Sequence, residues 1–321
     1  MSNYKKIYIK PVGNTCNLSC LGCYVSSIPE LQPKLDLNIV KTLINDLTNE
    51  NPNIEIEIVF HGGEPFVIND DETIQSYINL IKDFPNVKWT ATTNLIYSIT
   101  PKLLELFNLF TNKFIKTSWD PIGYRFKDLL QLQIWENNVK FLINEGFIIQ
   151  SIICVTTNII TFSPSVLFDY FKKLGLKDIN FERITRSGRA IKNNHIVPTN
   201  RTIDQWLFEC YIQNKDNYKF NIPLFKELIE IQKGATALGC RLRRCTKDVI
   251  TLENDGTRYS CPNTCGNTDL ETLKQNEKLL HDFCKMCKYF KWCNGECFQL
   301  EYDETGCPGL RQIMENLSNN V

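Results

Sequence analysis

Apolar residues along the first 185 positions follow two alternating rhythms. Short runs rich in β-branched and aromatic residues have the length and composition of strands: KKIYIKP (5–11), IEIEIVF (54–60), VKWTATT (87–93), FIKTSW (114–119), FIIQSIICV (147–155) and DINFERI (178–184). Between them apolar positions recur every three to four residues, as one-sided helices require, over 36–49, 71–84, 101–109, 127–145 and 164–174. Local chemistry marks their ends. DDETIQ supplies the acidic residues that a first helical turn favours, Thr100-Pro101 opens the third segment, and Gly146 and Gly175 close the last two.

Strand and helix repeated six times predict a parallel sheet, either doubly wound or barrel-like. Unusual polar residues follow strand after strand: a cysteine triad, then His61-Gly62-Gly63-Glu64-Pro65, Thr93-Asn94, Ser118 with Asp120, and Thr157-Asn158. A barrel collects its chemistry on that C-terminal rim. We therefore expect an α/β chain built on a partial (β/α)6 TIM-like barrel over residues 1–200, with six strands leaving a lateral opening. Beyond it the pattern changes to a bridging helical region at 201–235, with helices expected at 202–214 and 222–232. A small cysteine-rich domain follows at 236–321. There the one clear strand lies near 248–253, and Asp255-Gly-Thr-Arg258 predicts a hairpin turn. So little apolar residue is left in that domain that metal is expected to hold it together.

Charge excludes some partners. Lys plus Arg equals Asp plus Glu at 36 each, so no net field draws the chain to nucleic acid or an acidic membrane surface. No run reaches the roughly 18 apolar residues of a membrane span, and the N-terminus has no apolar signal core, so a cytoplasmic protein is expected. In that reducing compartment fourteen cysteines are anomalous as disulfides and point to metal. Three lie between Cys16 and Cys23 and nine between Cys240 and Cys307.

Cys16-x3-Cys20-x2-Cys23 supplies three thiols from one loop. A four-iron cubane held by three thiolates keeps one iron open for chemistry, whereas the bland reading is a partial zinc knuckle. This triad after the first strand, with Gly62-Gly63-Glu64-Pro65 after the second, resembles the radical S-adenosylmethionine superfamily. The resemblance implies that Cys16, Cys20 and Cys23 ligate the catalytic cluster and that its open iron chelates the methionine moiety of S-adenosylmethionine. It further implies that Gly62, Gly63 and Glu64 lie at the amino group, with Ser118 and Arg125 as further cofactor contacts. Family loops often carry an aromatic where Gly22 stands, which leaves the cover over the cluster unassigned. The arginines of Arg183-Ile-Thr-Arg186-Ser-Gly-Arg189 also remain without a role, and His61 and His195 are read as structural.

The later cysteines, Cys245-x10-Gly256-x4-Cys261 and then Cys284-x2-Cys287-x5-Cys293-x3-Cys297-x9-Cys307, resemble the SPASM domain in every spacing. A zinc ribbon is the competing reading. By resemblance, Cys240, Cys245, Cys261 and Cys297 hold an inner auxiliary cluster, and Cys284, Cys287, Cys293 and Cys307 hold an outer one. This makes three 4Fe-4S clusters in all. Cys265 is a stray candidate, Cys154 and Cys210 pack as small apolar residues, and Arg241, Arg243, Arg244 and Lys247 neutralise a cluster or face solvent.

The resemblance implies a radical S-adenosylmethionine oxidoreductase. A 5′-deoxyadenosyl radical abstracts hydrogen from a ribosomally synthesised peptide, and a thioether or carbon–carbon crosslink results. The implied partners are a precursor peptide or protein substrate, a flavodoxin- or ferredoxin-type reductant and, because the chain starts almost at its first strand, a separate leader-peptide recognition protein. Two alternatives stand beside it. One is anaerobic sulfatase maturation to formylglycine, although those relatives carry an aspartate base where this chain has Pro262. The other is a non-catalytic iron–sulfur electron carrier.

Overall fold

The computed structural model describes residues 3–235, 248–262, 281–297 and 299–319. Six parallel strands, β1 Tyr4–Ile9, β2 Glu55–Phe60, β3 Lys88–Thr93, β4 Phe114–Trp119, β5 Ile148–Val155 and β6 Asp178–Arg183, lie side by side in chain order. Helices α1 Leu37–Glu50, α2 Asp71–Asp83, α3 Pro101–Asn108, α4 Leu129–Asn144 and α5 Pro164–Lys173 connect them. The bounds follow from capping. Side chains of Asp36, Asp70, Thr100 and Asp128 accept hydrogen bonds from the first-turn amides of α1 to α4, which fixes where each helix begins.

Strand alternation sorts the two faces of the sheet. Ile7, Ile9, Ile58, Phe60, Ala91, Ile115 and Ile153 are fully buried under the helices. There Phe60 lies within ring-contact distance of Phe66, Tyr77, Trp89 and Phe110. The opposite face carries Lys6 and Tyr8 of β1, with Lys10 just past its end, and Lys116 and Ser118 of β4, so polar groups gather on that side of the sheet.

The sheet extends beyond the six expected strands. Strand β7, Val249–Leu252, pairs parallel with β1, and β8, Arg258–Tyr259, pairs antiparallel with β7, giving the order β6-β5-β4-β3-β2-β1-β7-β8. The sheet is mostly parallel and does not close. The hairpin turn expected at 255–258 is present, with Gly256 in the left-handed region at φ 87°. Its strand β7 pairs with β1 and so extends the same open sheet.

Helices α6 Asn200–Gln213 and α7 Pro223–Gln232 form the bridging region, and α8, Arg311–Asn319, packs against both. Ile313, Met314 and Leu317 of α8 and Tyr289 belong to the same continuous core as the barrel. Burying three such α8 side chains contributes roughly 1.5–3 kcal/mol each. The described C-terminal residues are thus anchored by apolar packing as well, which corrects the expectation that metal alone would hold them.

Candidate active site

The loop after β1 carries the triad and is bound down by backbone contacts. Cys16 N–H donates to the Ile28 carbonyl at 2.8 Å and Ile28 N–H to Asn14 at 3.0 Å, while Cys23 N–H closes a turn on Cys20 at 3.2 Å. The loop after β2 lies directly against it: Gly63 N–H donates to Gly13 at 2.9 Å and Glu64 N–H to Thr15 at 2.8 Å. Only glycine fits this approach. A Cβ on Gly62, whose φ is 119°, would meet the Gly13 carbonyl oxygen at 2.6 Å, and one on Gly63 would meet that of Thr15 at 2.1 Å. These glycines therefore fit one loop to the other, a role independent of any ligand.

Glu64 is fully buried. Its carboxylate accepts from Phe66 N–H at 3.2 Å, Thr93 Oγ1 at 2.7 Å and Asn94 N–H at 2.6 Å, so it braces the ends of β2 and β3. Burial outweighs these donors and pushes its pKa up to about 7. Asn94 carries the network onward. Its Nδ2 donates to Asn17 Oδ1 at 2.7 Å and lies 3.7 Å from Cys16 Sγ.

The sulfurs collect further donors. Leu18 N–H points at Cys16 Sγ and Ser27 N–H at Cys23 Sγ, both at 3.4 Å. Donors aimed at sulfur tune and stabilise a thiolate-bound cluster. Burial, then the charge of Glu64, pushes the Cys16 thiol up to about 12, and burial raises Cys20 despite the nearby Arg125 guanidinium. A bound cation would reverse that balance by favouring the thiolates. None of the three cysteines is in a disulfide. Three free sulfurs on one loop with donors aimed at two of them are compatible with thiolate ligation of an iron–sulfur cluster.

Arg125 reaches this loop from the β4 end. Its Nε donates to Asp120 Oδ2 at 2.9 Å, and burial holds the Asp120 carboxyl up at about 6 even with that partner. Ser118 projects to the face opposite the helices, because its neighbours face them: Thr117 Oγ1 accepts from Trp135 Nε1 at 2.9 Å and Trp119 packs on Phe171. The triad, the glycine loop, Ser118 and Arg125 therefore share one rim of the sheet.

Sequence reasoning left several contributors without a role. Arg189 N–H donates to the Cys23 carbonyl at 2.9 Å, and its guanidinium reaches the Ser27 carbonyl and that of Cys20. The space above Gly22 is filled by Ile184 and Ile196, whose methyls lie 2.9 and 3.3 Å from where a Cβ would stand. This accounts for the missing aromatic. Tyr24 OH is 2.8 Å from His61 Nδ1, and burial followed by Lys10, Lys116 and Lys6 keeps His61 neutral, with its pKa lowered to about 3. Lys10, 1% exposed, pairs with Glu253 of the β7–β8 turn at 2.5 Å and ties the hairpin to the cysteine loop.

Farther along the chain, Cys284, Cys287, Cys293 and Cys307 line one cavity, the set expected for the outer cluster. A Cβ on Gly309 would stand 3.3 Å from Cys293 Sγ and 3.6 Å from Cys307 Sγ, so glycine keeps that cradle open. Tyr302 OH lies 3.0 Å from Cys284 Sγ. Of the expected inner set, Cys261 is buried and Cys297 is half-buried. Cys240 and Cys245 lie outside the described residues, as do Cys265, Arg241, Arg243, Arg244 and Lys247. Among the described residues no three His, Cys, Asp or Glu side chains close around a point suited to a single metal ion, and no helix is long and apolar enough to cross a membrane.

Residues 12–100 match the 4Fe-4S single cluster domain family. A cysteine-type anaerobic sulfatase-maturating enzyme of Clostridium novyi is 22% identical over 345 aligned positions, covering 90% of this chain and 86% of that one. The structure of native anSMEcpe with bound AdoMet and Cp18Cys peptide superposes with a TM-score of 0.75 at 18% identity, over 98% of this chain and 99% of that one. Streptococcus suis SuiB bound to its precursor peptide SuiA gives 0.60 at 16% identity, over 92% and 72%. The chain carries a radical S-adenosylmethionine-type iron–sulfur domain homologous to that of the anaerobic sulfatase-maturating enzymes, on a fold it shares with SuiB.

Proposed function

We propose that this protein is a radical S-adenosylmethionine oxidoreductase that modifies a ribosomally synthesised peptide by forming a thioether or carbon–carbon crosslink. The observation that carries the reading is the convergence of the cysteine triad, the Gly62-Gly63-Glu64 loop, Asn94 and Arg125 on one rim of an open, polar-faced sheet. A cluster held by Cys16, Cys20 and Cys23, together with S-adenosylmethionine, would supply one-electron cleavage chemistry there. The chain's own residues do the rest. Asn94, Leu18 N–H and Ser27 N–H direct donors at the sulfurs, and Arg189 and the glycine loop hold their spacing. Ile184 and Ile196 exclude water above Gly22. Ser118 and Arg125 would orient the nucleoside and the carboxylate of the cofactor. The open side of the sheet would admit a peptide segment, and cysteines 240, 245, 261, 284, 287, 293, 297 and 307 would hold two auxiliary clusters that take the substrate's electron.

A second reading, oxidation of a sulfatase cysteine or serine to formylglycine, is favoured by similarity along the chain to a sulfatase-maturating enzyme. Pro262 in place of those enzymes' aspartate weighs against it. The two separate on one experiment. The protein is co-expressed anaerobically with a short cysteine-containing peptide encoded beside its gene, or with a sulfatase, and each is examined by intact and fragment mass spectrometry. Loss of two hydrogens from the peptide, dependent on the triad, is the expected result. An unmodified peptide with formylglycine in the sulfatase would overturn the crosslinking reading.

A further inference from the structure

Helix α4 buries Trp135, Val139 and Leu142. Asn138 lies on the same side, because residues three and four apart share one face of a helix. An apolar side chain there would avoid the cost of taking an amide out of water. The amide nitrogen is instead fully engaged: Asn138 Nδ2 donates to the Leu95 carbonyl at 2.9 Å and to the Tyr97 carbonyl at 2.8 Å. Both partners are acceptors, so only the NH2 end of the side chain can face them, one hydrogen to each. The turn it grips is strained. Leu95 is 0% exposed and has φ 55°, a left-handed conformation that leucine keeps only where its surroundings hold it. Within the turn, Ile96 N–H donates to Asn94 Oδ1 at 2.8 Å and Leu95 N–H to Thr93 Oγ1 at 3.3 Å. With its oxygen held by Ile96, Asn94 presents Nδ2 to Asn17 and Cys16. Asn17 Nδ2 in turn donates to the Ile96 carbonyl at 2.7 Å. The carbonyls of residues 95 and 97 thus face α4, while that of residue 96 faces the cysteine loop, and the left-handed residue makes the bend between them.

We propose that Asn138 is a positioning residue for the cysteine triad: it holds the Leu95 turn in its left-handed form, which aims the Asn94 amide at Cys16 and so sets the reduction potential of the centre there. The proposal rests on reading Cys16, Cys20 and Cys23 as cluster ligands. Asn138 acts at one remove, through residues 94–97. A donor aimed at a ligating sulfur stabilises the reduced, more negative centre, so losing its aim makes the potential more negative. Without the clamp, Leu95 relaxes to an ordinary backbone conformation, and Asn94 turns away from Cys16.

The test titrates the iron-loaded protein anaerobically and follows the electron paramagnetic resonance signal that Cys16→Ala/Cys20→Ala/Cys23→Ala abolishes. Asn138→Ala is expected to shift the midpoint in the same negative direction as Asn94→Ala. The double variant Asn138→Ala/Asn94→Ala should match Asn94→Ala alone, because both act through one hydrogen bond. Asn138→Asp, which sets a carboxylate oxygen against the two carbonyls, should reproduce the shift. Hydrogen exchange reads the turn itself and needs no cluster. The Ile96 amide should exchange about tenfold faster in Asn138→Ala, while Thr90 and Ala91 of β3 stay protected. A wild-type midpoint in Asn138→Ala, a further shift in the double variant, or unchanged exchange at Ile96 would overturn the proposal. If the triple cysteine variant keeps the whole signal, the cluster reading beneath the proposal fails, and the exchange of Ile96 still judges the clamp.

Discussion

At Gly63 an added methyl group would sit 2.1 Å from the Thr15 carbonyl oxygen, a backbone atom that cannot move without pulling on the cysteine loop. Gly63→Ala should therefore cost about 1–3 kcal/mol through overpacking and release iron from the triad while leaving iron at Cys284, Cys287, Cys293 and Cys307. Iron analysis with chemical denaturation checks this, and full iron with unchanged stability would contradict it. Asn94→Ala removes a donor from Cys16 and Asn17. It should lower stability by about 1 kcal/mol and shift the reduction potential of the N-terminal centre, read by potentiometric titration. The triad and the Gly62-Gly63-Glu64 run were legible in the chain because each is local. Asn94 and Arg189 stood out as polar residues but their contacts did not, because the groups they reach lie 78 and 169 positions away. Glu64 was legible as an acid beside the site but not as a brace. Its partners at Thr93 and Asn94 are set by strand register.

Strands and helices followed the apolar rhythm closely, since each period reports which side faces the core. Two features escaped it. The pairing of β7 with β1 joins segments about 240 positions apart, and nothing local in Val249–Leu252 names its neighbour. Helix α8 is short, and its buried Ile313, Met314 and Leu317 make too brief a stripe to stand out beside the cysteines. The hairpin's attachment makes its own prediction. Lys10→Ala leaves Glu253 without its buried partner, at a cost of roughly 3 kcal/mol. Amide exchange across residues 249–259 should quicken, while β3 to β5 remain protected. Lys10→Met combined with Glu253→Gln should recover most of the stability, because removing both charges leaves no orphan. Unchanged protection in Lys10→Ala would show that the ion pair does not hold the hairpin.

On the scale of the molecule, an open sheet with polar groups on the face away from its helices gathers one cysteine loop at its rim. Its edge strand receives a hairpin from the cysteine-rich part of the chain. A continuous apolar core runs from the barrel helices into α8, so the barrel and the described cysteine-rich residues are built as one body. The rim site is expected to cleave S-adenosylmethionine through the three cysteines of the first loop. The direct measurement is the yield of methionine and 5′-deoxyadenosine from the anaerobically reconstituted, reduced protein, compared with Cys16→Ala/Cys20→Ala/Cys23→Ala. Wild type should release both products, and the variant should release neither while keeping about two clusters' worth of iron. Cleavage that survives the triple substitution, or its absence from the iron-loaded wild type, would show that the first loop is not the site of S-adenosylmethionine chemistry.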